Sequence, residues 1–123
     1  MLKVFLAEDE FVIREGIKNN IDWKSNGYDF CGEAGDGELA FSMIRELKPD
    51  ILITDIRMPF MDGLSLSKLV KKSLPETEII VLSGYEEFDY AKESIKIGVA
   101  RYLLKPINGE DLLREVNSVA QEI

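Results

Sequence analysis

Acidic, hydroxyl and amine side chains stand at the ends of four separate apolar runs. Glu8, Asp9 and Glu10 follow Val4-Phe5-Leu6-Ala7, and Asp55 follows Ile51-Leu52-Ile53-Thr54. Ser83 follows Ile79-Ile80-Val81-Leu82, and Lys105, then Pro106, follows Tyr102-Leu103-Leu104. Clustered carboxylates repel one another and hold their protons more tightly unless a cation intervenes. An all-oxygen set suits a hard ion such as magnesium. Because that ion keeps an octahedral shell with several waters, two carboxylates and a backbone carbonyl leave room for a phosphoryl oxygen. A lysine then supplies a second positive charge. Taken singly, each residue has a plainer reading: a strand-end acid as a loop residue or helix cap, Lys105 as a surface lysine, Ser83 before Gly84 as a turn residue. Their arrival together, after four buried runs, points to one site.

The apolar runs are near-continuous, which suits strands buried on both faces of a parallel sheet. A fifth run, Tyr28 to Ala34, is interrupted by Gly32 and Glu33 and reads as an edge strand. Helical periods lie between the strands. Ile13, Gly16, Ile17 and Ile21 share one face of a first helix, and Leu39, Ala40, Met43, Ile44 and Leu47 mark a second, near 36–47, closed by Pro49. Leu66, Leu69 and Val70 mark a third, ending near Pro75, and Phe88, Ala91, Ile95 and Gly98 are the expected inner stripe of a fourth. The fifth begins at Asn108, which with Asp111 resembles a capping arrangement, and runs through Leu112, Val116, Val119 and Ile123. Trp23 is expected to anchor the long polar connection 22–27 by packing. Five alternating β-α units predict an open parallel sheet with right-handed crossovers and helices on both faces. In such a sheet, ligands bind at the carboxyl ends of the strands, where these polar residues arrive.

The chain has 123 residues, 46% hydrophobic and 31% charged, a balance for one globular domain, expected to span 1–123. Its net charge of −8 gives little electrostatic support for nonspecific attraction to nucleic acid or anionic lipid. Cys31 is the one cysteine and histidine is absent, which removes an intrachain disulfide, imidazole catalysis and most zinc sites. No apolar run approaches the ~20 residues of a membrane span, and no signal-peptide pattern opens the chain, so a cytoplasmic domain with no membrane partner is expected. Gly32, Gly35 and Gly37 fit neither the nucleotide P-loop nor the dinucleotide fingerprint and are read as turn and helix-start glycines.

Several motifs together resemble the receiver domain of two-component response regulators across essentially the whole chain. Leu6-Ala7-Glu8-Asp9-Glu10 is similar to that family's acidic cluster, and Asp55-Ile56-Arg57-Met58-Pro59-Phe60-Met61-Asp62-Gly63 to its D-x-x-M-P-x-x-D-G segment. Leu82-Ser83-Gly84 and Tyr102-Leu103-Leu104-Lys105-Pro106 resemble its hydroxyl and lysine-proline signatures. The resemblance implies a flavodoxin-like sheet of order 2-1-3-4-5 with five helices. It also implies Asp55 as phosphoacceptor and magnesium held by Asp9, Asp55, the Arg57 main-chain carbonyl and Glu8, the last mainly through water. Ser83 and Lys105 would contact the phosphoryl group, Tyr102 matches an aromatic switch position, and Lys105-Pro106 matches a cis peptide.

By the same resemblance the phosphodonor is a sensor histidine kinase, and a receiver homodimer is among the partners to consider. Ile21-Asp22-Trp23 and the segment 83–92 resemble receivers that precede AraC-type DNA-binding domains. Any DNA contact would then come through a C-terminal output domain beyond residue 123. The rivals are a stand-alone receiver that signals by binding a protein, and a magnesium-dependent phosphatase with an aspartyl-phosphate intermediate. The latter needs a second acid near Asp55, where Arg57 stands. Arg57 and Tyr85 are the long side chains expected to crowd the path of an attacking water and lengthen the life of a phosphorylated form.

Overall fold

The computed structural model describes residues 1–84 and 88–123, with Phe88 by its backbone. The strands are β1 (Leu2–Ala7), β2 (Tyr28–Ala34), β3 (Ile51–Asp55), β4 (Glu78–Ser83) and β5 (Arg101–Leu104). They alternate with helices α1 (Phe11–Asn20), α2 (Gly37–Leu47), α3 (Gly63–Ser73), α4 (Phe88–Ile97) and α5 (Gly109–Ala120). All neighbouring strands pair in parallel, in the order β2-β1-β3-β4-β5.

The period-2 alternation of a strand divides each run between two cores. Val4, Leu6, Ile51, Ile53, Ile80 and Leu82 pack with Leu112, Val116 and Val119 of α5. Phe5, Ala7, Leu52, Ile79 and Val81 pack on the other face with Ala40 and Ile44 of α2 and Leu66 and Val70 of α3. Val4 to Ala7 and Ile51 to Ile53 are wholly buried, so β1 and β3 are the central strands that the sequence's unbroken runs predict. Trp23 anchors the 22–27 connection as expected. It is buried, its ring lies 6.0 Å edge-on from Tyr28 and 5.7 Å from Phe30, and its Nε1 donates to the Ile17 carbonyl at 3.3 Å.

Several local expectations are corrected. Gly32 lies within β2 rather than in a turn, next to a register shift between Val4 and Phe5 that leaves Cys31 out of step with β1. A side chain on Gly32 would press on Phe5 and Leu47 at 3.0 Å, which gives the glycine a packing reason. Ile21 is buried, but just past the end of α1, and Ile123 lies beyond α5 and is exposed. Leu39, placed in the inner stripe of α2, is 52% exposed.

In α4 the inner stripe is turned by one residue. Ile95 is 80% exposed, while Tyr90 and Ile97 pack against the second core and Ser94 is buried between them. A helix buries one stripe, and the pair seven residues apart that packs on the second core wins over the pair the sequence suggests. The cost is the Ser94 hydroxyl, which is buried without a hydrogen-bond partner among the described residues. Ser94→Ala is therefore expected to raise the urea unfolding free energy by about 1 kcal/mol, because it removes an unpaired polar group and leaves the methylene in place. A loss of similar size would show that the hydroxyl is satisfied.

Candidate functional site

The carboxyl ends of β1, β3, β4 and β5 open onto a cleft of ≈ 360 Å³ lined by Asp9, Glu10, Asp55, Ile56, Arg57, Ser83, Gly84 and Lys105. Asp55 is the last residue of β3 and is 7% exposed. Its Oδ1 accepts from the Ile56 amide at 2.9 Å, which leaves Oδ2 to face Lys105 Nζ at 3.1 Å. The same ammonium donates to Glu8 Oε1 at 2.8 Å, and Glu8 Oε2 accepts from the Glu10 amide at 3.2 Å. Glu8, Asp9 and Asp55 each bring a carboxylate oxygen within 4.8 Å of the others.

Burial is the main cause that pushes the Glu8 carboxyl up to about 7. The Lys105 hydrogen bond works against it, and the Asp55 charge adds to it. Burial alone would lower the Lys105 ammonium, but its bond to Glu8 and the charges of Glu8 and Asp55 outweigh that and raise it. Glu8 and Asp55 thus share the Lys105 ammonium, and Asp9 brings a third carboxylate to the same cluster. That donor set, all oxygen and electron-rich, fits a hard divalent cation such as magnesium.

The loop after β3 is held by its own backbone. Gly63 N donates to the Ile56 carbonyl at 2.6 Å, and the Asp62 side chain caps α3 by accepting from the Ser65 amide at 2.7 Å. Gly63 lies so close to β3 that a Cβ there would stand 1.8 Å from the Asp55 carbonyl oxygen. The second acid and the glycine of the D-x-x-M-P-x-x-D-G segment thereby acquire physical jobs: one starts α3, the other lets α3 close against the strand end.

Ser83 ends β4 and is 1% exposed, and its carbonyl accepts from the Lys105 amide at 2.8 Å. Tyr102 pairs with Val81, two residues before Ser83, so Ser83 and Tyr102 lie on the same face of adjacent strands. Tyr102 is half-buried against the core that holds Val81 and α4. Arg57 is exposed at the cleft wall, and the Lys105-Pro106 peptide is cis, as the resemblance implies. Tyr85, expected at the mouth, lies outside the described residues.

Sequence reasoning missed Arg14. Its Nη1 donates to the Glu8 carbonyl at 2.7 Å while Nε pairs with Glu33 at 3.3 Å, tying the acidic loop to α1 and β2. A lone arginine on a helix carries no local signal for that contact.

A family model described as the response regulator receiver domain matches residues 4–117. An uncharacterized transcriptional regulatory protein, YesN of Bacillus subtilis, is 43% identical over all 123 residues of the chain, which cover 33% of that protein. Transcriptional regulatory protein HptR of Staphylococcus aureus strain N315 is 39% identical over 112 residues, covering 91% of the chain and 44% of HptR. The chain therefore spans less than half the length of these curated relatives. Among solved structures, the REC domain of AraT, a response regulator from Geobacillus stearothermophilus, superposes with a TM-score of 0.91 at 42% identity, covering 98% of this chain and 94% of that one. A CheY-like receiver domain protein from Methanospirillum hungatei reaches 0.91 at 22% identity, covering 99% and 95%, a likeness of fold.

Proposed function

The chain belongs to the response regulator receiver domain family, and from that premise we propose that Asp55 accepts a phosphoryl group from the phosphohistidine of a sensor histidine kinase. The observation that carries this reading is the placing of one carboxylate oxygen of Asp55 in the cleft, 3.1 Å from Lys105 and beside Glu8 and Asp9, while the other is held by the Ile56 amide. Glu8, Asp9, Asp55 and the Arg57 carbonyl would hold magnesium, which when bound supplies charge neutralisation at the phosphoryl oxygens.

The chain's own residues do the rest. The Asp55 oxygen attacks phosphorus in line, a P–O bond forms as the P–N bond breaks, and the donor imidazole leaves with the bonding pair. Lys105 screens the charge on the transferring group from a position fixed before reaction, so little reorganisation is needed. Incubation with magnesium and acetyl phosphate tests the proposal. One added phosphoryl mass, mapped to Asp55, is the expected result, and an unmodified chain would overturn it.

The product carries roughly two negative charges at pH 7 and recruits Ser83 and Lys105. Withdrawal of Ser83 toward phosphate vacates room on the face it shares with Tyr102, which changes the surface of α4, β5 and α5. Ser83→Ala and Lys105→Ala are each expected to slow acetyl phosphate labelling by roughly tenfold to a hundredfold, the loss of one bond to a charged group, and to uncouple labelling from that surface change. Amide exchange along β5 measures the second effect. A full phosphorylation-induced change in either variant would exclude that residue from the switch. Because relatives such as YesN and HptR are described as transcriptional regulatory proteins, we propose control of transcription through an attached DNA-binding output as the purpose of the switch.

A further inference from the structure

Three of the helices are joined to the strand before them by a capping side chain. Asp36, Asp62 and Asn108 accept from the Leu39, Ser65 and Asp111 amides, each at 2.7 Å. The acidic loop 8–10 is joined to α1 by other means. Glu10 stands at the N-cap and makes no side-chain cap bond among the described residues. Arg14, one turn into the helix, reaches back instead, and its Nη1 donates to the Glu8 main-chain carbonyl at 2.7 Å. A bond that ends on a backbone carbonyl draws on no carboxylate of the cluster.

Arg14 is aimed at that carbonyl from several sides. It is half-buried, its Nε pairs with Glu33 of β2 at 3.3 Å, and its Cζ lies 5.7 Å over the Phe11 ring. Gly35 leaves it room, since a Cβ there would stand 3.0 Å from Nη1. The Glu8 carbonyl and the Asp9 amide belong to one planar peptide unit, so a bond to that oxygen sets the orientation of the link between two of the three clustered carboxylates. The consequence falls on Asp9. Glu8 and Asp55 are buried, and their carboxylates are held by hydrogen bonds from Glu10, Lys105 and Ile56, whereas Asp9 is exposed and takes its direction from its backbone.

We propose that Arg14 is a positioning residue for the divalent cation, acting through the peptide unit that joins Glu8 to Asp9; this rests on the reading of Glu8, Asp9 and Asp55 as magnesium ligands. A guanidinium so near the cluster would by itself repel a cation. Glu33 answers that charge at 3.3 Å from Nε, and Lys18, which pairs with Glu33 at 3.1 Å, is exposed, where water and salt screen it. The order that Arg14 imposes on the loop therefore outweighs its repulsion, and the net effect of the residue is tighter binding.

Titration calorimetry with magnesium chloride, in the absence of any phosphodonor, tests this directly. Arg14→Met keeps the aliphatic stem, removes the donors, and is expected to raise the magnesium dissociation constant about tenfold, the effect of losing a support behind a metal ligand. Arg14→Lys, with one donor left for the carbonyl, should recover part of that loss. In labelling with acetyl phosphate, the magnesium concentration for half-maximal rate should rise by the same factor in Arg14→Met, and saturating magnesium should restore the rate. An unchanged dissociation constant would overturn the role, and so would tighter binding, which would show that repulsion by the guanidinium dominates. A rate that stayed low at saturating magnesium would also overturn it, since the loss would then lie outside cation binding. Should Arg14→Met not fold, Gly35→Ala keeps Arg14 but makes Nη1 give way, and a smaller rise in the dissociation constant is expected; no rise there would overturn the role equally. If wild type bound no magnesium, the ligand reading itself would fail and this role with it. If it bound magnesium but Asp55 took no phosphoryl group, only the phosphoacceptor reading would fail, and the binding data would still decide Arg14.

Discussion

Asp55→Asn is expected to take up no detectable phosphoryl group from acetyl phosphate or from a kinase, while folding as well as the wild type. A carboxamide has the shape of the carboxylate but not its nucleophilic oxygen, so the chemical step is lost rather than slowed. The scaffold should not notice. The amide oxygen can still accept from Ile56 N, the bond that Asp55 Oδ1 makes at 2.9 Å. Removing one of three carboxylates that crowd within 4.8 Å also relieves repulsion, and the charge on Asp55 is one of the causes that raise Glu8. Lys105 keeps its bond to Glu8 at 2.8 Å. Unfolding free energy is therefore expected to stay within about 1 kcal/mol of wild type. Intact mass and peptide mapping after incubation with magnesium and donor decide the matter. Labelling at Asp9, which is exposed in the same cluster, would show that the phosphoacceptor had been assigned to the wrong acid.

Gly63→Ala should be the most damaging single methyl group in the loop after β3. Its Cβ would stand 1.8 Å from the Asp55 carbonyl oxygen, 2.8 Å from the carbonyl carbon and 3.0 Å from Ile56 Cα. All three are backbone atoms, so no side chain can swing aside. Either α3 retreats, which breaks the 2.6 Å bond from Gly63 N to the Ile56 carbonyl, or the end of β3 moves and takes Asp55 away from Lys105. Overpacking against rigid backbone is expected to cost about 3 kcal/mol or more, and the phosphorylation rate should fall with it. Gly84→Ala is the control. Gly84 lines the same cleft but, among the described residues, has nothing within 4 Å of its added Cβ, so its stability should hardly change. Urea unfolding of the two variants checks the pair, and a loss under 1 kcal/mol for Gly63→Ala would show that α3 yields more easily than its packing implies.

Much of this molecule is determined locally by sequence. Val4 to Ala7 and Ile51 to Ile53 are apolar without interruption because both their faces are covered, and that pattern has few alternatives to a central parallel strand. The site followed from the same logic. Glu8, Asp55, Ser83 and Lys105 each occupy the end of such a run, and a parallel sheet carries all its strand ends to one side, so they meet without any pairwise signal between them. Asn108 capping α5 through the Asp111 amide at 2.7 Å is local in the same sense.

Tertiary structure alone decided what depends on which of two comparable choices packs better. Helical spacing offers Ile95 as readily as Ser94 to the core, and the contacts of Tyr90 and Ile97 with the far side of the sheet chose Ser94. Leu39 matches the period of α2 yet is exposed, because the buried stripe runs through Gly37, Ala40 and Ile44. Close approaches are equally invisible from the chain: that Gly63 touches Asp55, that Gly37 touches Met61 and that Arg14 reaches the Glu8 carbonyl are meetings between elements. Periodicity records only whether a position is apolar, whereas burial and contact depend on the neighbour, which long-range packing brings from elsewhere in the chain.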